Sequence, residues 1–305
     1  MAEGEDQSTS SIQLTSLPAD HALYQDAYLT GFLKTDQMEE VYELVIRLFE
    51  NTVLRMLRNV FLTEEEFNMI GVGTARGRHE IAFMERLLPF YKMISYTAVD
   101  PNAGLLQTHK ANLRKAEFNP PVDAKYFDGT FRRYLDERAD EDVKFHLISG
   151  IHSLYHLGQI EESMDQLLAT LKENGILLLM VNSEQSVFAK LRKAFPSLDR
   201  EDVHIVFTNE DVTREAKRRG CDVTEIPIQI TKDVTELFDT ASDFGNKILD
   251  FLTMTSYFRQ TAPKALVEEV MEFWRDNISR DESGRCRANF EEYLMVIQKI
   301  SNESI

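Results

Sequence analysis

Residues 67–77 read Phe67-Asn68-Met69-Ile70-Gly71-Val72-Gly73-Thr74-Ala75-Arg76-Gly77, an apolar run that stops abruptly in small residues and then turns helical. That order is the grammar of a strand, a tight turn and a helix N-terminus. Gly73 has no Cβ, so the chain can reverse sharply and a ligand can press against its backbone, while the free amides of the next helix face the same spot. A second strand is expected at Ile94-Ser95-Tyr96-Thr97-Ala98-Val99, closed by Asp100 and the turn-forming Pro101-Asn102. From 73 to 100 the spacing is 27 residues, where an acidic side chain can accept both hydroxyls of a ribose.

A glycine turn followed by an acidic strand end is shared by nicotinamide enzymes and by enzymes that use S-adenosylmethionine. The dinucleotide pattern Gly-x-Gly-x-x-Gly requires glycine at position 76, where Arg76 stands. The looser pair Gly73 and Gly77 suits a nucleoside without a pyrophosphate, so methyl transfer is expected ahead of hydride transfer. A turn that only joins a strand to a helix is the bland alternative.

The 305 residues can bury a large core and carry a net charge of −17. Such a field opposes a phosphate backbone, which is held by Lys and Arg displacing counterions, so no nucleic acid partner is expected. It favours small cations, amines and a sulfonium among them. Two cysteines, Cys221 and Cys286, lie in no metal or redox motif, and the polar first nineteen residues lack a signal-peptide core. No apolar stretch approaches the length of a membrane span. A soluble, cytoplasmic monomer with no metal is expected, with a disordered tail over 1–18 and one domain over 19–300.

Along the chain, His21, Tyr24, Tyr28 and Phe32 place aromatic rings at helical spacing, either as core or as a lid over a ligand. Residues 38–60 form an amphipathic helix pattern that leads into the glycine strand. Strand and helix then alternate: a helix over 78–90, the strand ending at Asp100, a helix over 103–117, a short strand over 124–127 and the polar turn Asp128-Gly129-Thr130. An apolar strand over 143–150 runs into Ile151-His152-Ser153-Leu154-Tyr155-His156, the densest polar and aromatic cluster of the chain. After a helix over 159–172 comes the apolar strand 175–182. The later elements are helices over 186–194, 209–219, 242–258 and 265–278, a strand over 220–230 and a last strand over 289–298. The pattern predicts an α/β fold with a doubly wound, seven-stranded, Rossmann-like sheet and inserted helices on the substrate side.

The stretch Asp250-Phe251-Leu252-Thr253-Met254-Thr255, followed by Phe258 and Thr261-Ala262-Pro263, resembles the C-terminal signature of the histamine N-methyltransferase family. The resemblance extends from Asp20-His21 to about Gln298. It implies a seven-stranded fold, S-adenosylmethionine as cofactor and a small amine or imidazole substrate. Position by position, it makes Gly73 the cofactor-loop glycine, Asp100 the ribose-binding carboxylate, Thr130 the adenine-side hydroxyl and Ile151 a cofactor contact. Gly77 and Asp128, from the residue reading, join that cofactor set. Leu105 stands where the family has a glutamine. On the substrate side the resemblance assigns Tyr24, Tyr28, Tyr155 and Phe188 to an aromatic pocket, with His152 in place of a glutamine, His156 in place of a tyrosine and Arg192 in place of an aromatic residue. The family's ammonium-binding glutamate falls in the shortened segment Lys34-Thr35-Asp36-Gln37, where Asp36 either stands in for it or the role is absent. The substrate-side asparagine matches Asn289 or, one place on, Phe290.

In-line methyl transfer needs a neutral nucleophile, a short approach and exclusion of water. His152 and His156 are the candidate catalytic residues: either accepts the substrate proton, directly or through water, or only hydrogen-bonds. Rival readings are a methyltransferase of this fold acting on another amine, an amino acid, a hydroxyl or a peptide, and a binding protein without activity.

Overall fold

The computed structural model describes residues 14–35, 38–62, 65–141, 143–199 and 206–300. Its strands are β1 Glu66–Val72, β2 Met93–Asp100, β3 Asp123–Asp128, β4 Phe145–Ile151, β5 Leu171–Asn182, β6 Asp222–Ile228, β7 Thr231–Asp233, β8 Ile278–Arg280, β9 Cys286–Asn289 and β10 Glu292–Gln298. The helices are α1 His21–Asp26, α2 Met38–Leu48, α3 Leu54–Phe61, α4 Arg78–Leu87, α5 Ala103–Lys115, α6 Phe131–Glu137, α7 Ile160–Thr170, α8 Val187–Ala194, α9 Asn209–Arg218, α10 Asp243–Thr253, α11 Phe258–Thr261 and α12 Lys264–Asp276.

The chain divides into two compact units, where its length allows one enlarged domain or two modest ones. The larger comprises Gln37–Ala189, His204–Ile230 and Phe290–Ile305. Its seven-stranded sheet runs β3-β2-β1-β4-β5-β10-β6. The first five strands pair in parallel, and β10 lies antiparallel between β5 and β6. Parallel strands covered by helices on both faces read as continuous apolar runs. Leu147, Ile148, Leu177, Leu178, Leu294 and Met295 are accordingly buried. The doubly wound seven-stranded sheet expected from the strand and helix alternation is the one observed.

The parallel order reverses beside β1, so β1 and β4 leave the sheet on opposite sides of a crevice at their carboxyl ends. Because β10 is antiparallel, its first residue, Glu292, lies at that same edge, paired in register with Asn182 at the end of β5.

The expected continuous helix over 38–60 is broken by a π-helical turn, Phe49–Val53, between α2 and α3. One extra residue per turn rotates the apolar stripe and keeps Phe49, Val53, Leu54, Leu57 and Phe61 all buried. Phe49 stacks on Phe83 of α4 with ring centroids 4.2 Å apart.

The smaller unit comprises Met1–Asp36, Lys190–Val203 and Thr231–Asn289. It holds a three-stranded antiparallel sheet, β7-β9-β8, that sequence reading did not foresee. The strand expected over 289–298 is β10, starting at Glu292, while Asn289 ends β9 in the other sheet. Between them Phe290 is buried and its amide donates to the Ile230 carbonyl at 2.8 Å, which ends one ladder before the next begins. Residues 14–18, placed by composition in a disordered tail, are packed: Leu14 and Leu17 are buried, and Leu17 N–H donates to Met254 O at 3.0 Å.

The signature that carries the family resemblance forms a structural corner. The expected helix over 242–258 stops at Thr253 because Met254 turns left-handed, φ +51°, and its amide bonds back to Asp250 and Phe251 carbonyls. The Asp250 carboxylate then accepts the amides of Tyr257 and Phe258, at 2.9 and 2.8 Å, and starts α11. Burial holds the Asp250 carboxyl above its ordinary range. Likewise the helix expected over 265–278 ends at Asp276, and Ile278 opens β8. No helix among the described residues is long and apolar enough to cross a membrane.

Candidate active site

The turn after β1 is shaped by its glycines and held by Asp100. Gly73 sits at φ +68°, and its amide donates to the Val99 carbonyl of β2 at 2.8 Å. A Cβ there would come within 2.5 Å of the Ser153 Cβ, so the loops that follow β1 and β4 touch across Gly73. Asp100 is 6% exposed. One of its oxygens accepts the Ala75 amide and the other the Asn102 amide, both at 2.8 Å. Each oxygen keeps a second lone pair, which suits the two hydroxyls of a ribose.

Gly77 starts α4 in the left-handed region, φ +71°, and a Cβ there would lie 2.1 Å from the ring of His109. The structure thus presses a buried imidazole, not open space, against Gly77. His109 is completely buried, 3.2 Å from Thr74 Oγ1 through Nδ1 and 3.5 Å from Tyr96 OH through Nε2. Burial pulls its pKa down to about 4, so it is a neutral strut under the turn.

Beneath the same turn Glu80 of α4 is 3% exposed and accepts the Ser149 hydroxyl of β4 at 2.9 Å. Burial raises its carboxyl from 4.5 to about 7, outweighing the hydrogen bonds that favour the charged form. The folded protein therefore holds this proton where the unfolded chain has lost it, so stability falls as pH rises from about 4.5 to about 7 and is level above. Glu80→Gln keeps an oxygen for Ser149 and removes the buried charge. At pH 8 it is expected to raise the unfolding free energy by on the order of 3 kcal/mol, with little effect at pH 4. Urea unfolding at both pH values checks this; equal changes at the two would contradict it.

At the end of β3, Asp128 is exposed and the Gly129 amide donates to the Asp100 carbonyl at 3.1 Å. Thr130 caps α6 by accepting the Arg133 amide at 3.2 Å. Its hydroxyl thus has a structural task as well as the crevice-edge position expected of it.

Ile151 ends β4 beside Met180 of β5, and His152 follows at φ +55°. A left-handed conformation in a bulky residue stores strain of about 1–2 kcal/mol and marks a position held by its surroundings. His152 Nε2 lies 3.3 Å from Oε2 of Glu292, whose side chain is 14% exposed. That carboxylate oxygen is buried and makes no hydrogen bond of good geometry. The half-buried His79 at the start of α4 acts on His152 electrostatically. Burial first, then His152 and Arg78, pull the His79 pKa down to about 4. Its ring leans on Tyr42 of α2 at 5.2 Å, and the Arg78 guanidinium lies 3.6 Å over the Tyr42 ring.

Tyr155 and His156 sit on a short 3-10 turn, their rings tilted and 4.5 Å apart, with Tyr155 half-buried against the sheet core and His156 exposed. Phe188 lies in the first turn of α8, and its amide donates to Ser186 Oγ at 3.3 Å. Tyr24 and Tyr28 belong to the smaller unit, stacked at 6.3 Å and both leaning on Phe251 of α10. Phe32 stacks on the same ring at 4.6 Å. Asn289 is exposed and pairs with Thr231 in β7. Arg192 is buried, donating to the Leu198 carbonyl at 3.1 Å. Asp36 lies outside the described residues.

The larger unit therefore brings Gly73, Asp100, Asp128, Thr130, Ile151 and His152 to one edge of its sheet. Sequence reading missed Ser153, Glu80, His79, Tyr42 and Glu292. Glu292 follows another glutamate at a strand start, which reads as a solvated charge pair; only the antiparallel insertion of β10 brings it to the edge.

S-adenosylmethionine fits the residues present. Asp100 has lone pairs for a ribose at the end of β2, the left-handed Gly73 leaves a bare backbone, and the Ser153 hydroxyl is buried in the seam between the two loops with no partner. Asp100 would hold the ribose and the Gly73 turn the amino-acid end. Among the described residues no cluster of His, Cys, Asp and Glu is set to hold a metal ion.

Comparison with known proteins agrees. A family profile described as a methyltransferase domain matches residues 40–226. The chain is 22% identical over 264 residues to histamine N-methyltransferase of Xenopus tropicalis, covering 85% of this chain and 88% of that protein. It is also 22% identical over 268 residues to carnosine N-methyltransferase 2 of Gallus gallus, covering 85% and 82%. Among solved structures, the YcgJ protein of Bacillus subtilis superposes with a TM-score of 0.50 at 12% identity, covering 82% of this chain and 98% of that one, a likeness of fold. With more than half of its length in the match, the chain belongs to the methyltransferase-domain family and is an S-adenosylmethionine-dependent methyltransferase with a Rossmann-like sheet.

Proposed function

We propose that this enzyme methylates a nitrogen of a small amine or imidazole, histamine-like in size. The observation that carries the reading is an imidazole paired with a carboxylate, His152 with Glu292, at the carboxyl edge of the sheet beside the glycine turn. S-adenosylmethionine supplies an electrophilic methyl group whose C–S bonding pair stays on sulfur. The chain has to deliver a neutral nitrogen, and His152 is the proton acceptor suited to a cationic acceptor near neutral pH. His156 is exposed, and its ring is tilted against Tyr155 with centroids 4.5 Å apart.

The two named relatives support the substrate class, because histamine and carnosine both carry an imidazole. The aromatic cluster of Tyr24, Tyr28, Phe32 and Phe251 is of the kind that attracts flat or cationic groups, at about 0.5–2 kcal/mol per cation–π contact.

A panel of acceptors with methyl-labelled donor tests the reading. Label is expected on imidazoles or small amines, with the other classes at background. Label on a hydroxyl or a peptide alone would replace it with the second reading.

A further inference from the structure

We propose that Glu292 is a positioning residue that makes His152 the proton acceptor of the reaction, so that the two side chains act as one carboxylate–imidazole pair. This deepens the reading above and rests on it. Three observations bear on it. The Nε2 of His152 stands 3.3 Å from Oε2 of Glu292. That oxygen is buried without a well-aligned hydrogen bond, so it gains a partner when the ring carries a proton toward it. The left-handed backbone at His152, φ +55°, turns the residue out of the line of β4, and the antiparallel β10 starts with Glu292 at the same edge.

His79 of α4 also acts on the ring, but its pKa of about 4 leaves it neutral near pH 7. It therefore does not oppose an imidazolium at position 152, whereas the Glu292 carboxylate stabilises one. In the step, an ammonium or imidazolium acceptor gives its N–H proton to the His152 ring. The N–H electron pair remains on the acceptor as the attacking lone pair. Positive charge passes from the acceptor to the imidazolium beside Glu292, and the proton afterwards leaves to water. The proton stays on the ring, as it does where a carboxylate stands behind a catalytic histidine elsewhere.

The test is a nuclear magnetic resonance titration of the histidine ring signals in the full chain without ligand, with the His152 signal assigned by its loss in His152→Gln. In Glu292→Gln the pKa of His152 is expected to fall by about one unit. With the acceptor found in the panel, the acid limb of kcat/KM should move to lower pH by the same amount, and kcat should drop about tenfold while KM stays within a few-fold. Should Glu292→Gln fail to fold, Glu292→Ala, which also removes the carboxylate, is read the same way. An unchanged His152 pKa in the folded variant overturns the pair, whatever the activity. Because the titration needs neither donor nor acceptor, it separates failure of the pair from failure of the methyltransferase reading, which binding of S-adenosylhomocysteine tests by itself.

Discussion

Gly73→Ala is expected to weaken S-adenosylhomocysteine binding by roughly 10²-fold or more, although the change adds a single methyl group. Gly73 sits at φ +68°, where an L-residue loses about 1–2 kcal/mol. The new Cβ would stand 2.5 Å from the Ser153 Cβ, an overlap of the kind that costs about 1–3 kcal/mol in a packed site. The turn can relieve both only by moving away from β4, and that displaces the backbone the cofactor presses on. The structure alters the reason for this sensitivity: the neighbour that meets the methyl is Ser153 and not the ligand alone. Gly158→Ala is the control, since Gly158 also has a positive φ, +103°, but its added Cβ meets nothing within 4 Å. Calorimetric titration of both variants decides it, and normal binding by Gly73→Ala would place the site elsewhere.

Asp100→Ala is expected to lower the same affinity by a similar or larger factor and to loosen the turn as well. Its carboxylate holds the amides of Ala75 and Asn102 at 2.8 Å each, and a hydrogen bond to a charged group contributes about 1.5–3 kcal/mol. Loss of the ribose partner adds to this in the complex. Asp100→Asn keeps one acceptor oxygen, so its affinity should lie between wild type and alanine. If alanine and asparagine bind S-adenosylhomocysteine as wild type does, Asp100 does not face the ribose.

Much of the fold was legible because its central strands are long, apolar and closed by glycine or polar turns. Gly73 and Gly77 punctuate the first crossover, and the run from Ile176 to Val181 admits no other reading than a buried strand. The smaller sheet was not legible, since β7 and β8 have three residues each and β9 has four, too short for an alternation to show. Cys286, Ala288 and Phe290 alternate with polar residues just ahead of the apolar run of β10, and the buried Phe290, its amide bonded to Ile230, divides the two strands. The signature from Asp250 to Pro263, which carries the family resemblance, forms an architectural corner, with Asp250 engaged by backbone amides.

Within the site, the cofactor side was legible through spacing, which local geometry enforces. Glu292 was not, because its place depends on β10 entering the sheet antiparallel beside β5, more than a hundred residues after β4. Glu80 and His109 were equally hidden. Each reads as one polar residue on an amphipathic helix, and only burial shows that it supports the turn from below.

A crystal structure with S-adenosylhomocysteine decides where the cofactor sits. The ligand is expected across the carboxyl ends of β1 and β2, with both ribose hydroxyls within about 3 Å of the Asp100 carboxylate and the sulfur on the side of His152 and Glu292. A ligand whose ribose lies away from Asp100, or whose sulfur faces away from the His152–Glu292 pair, would contradict it.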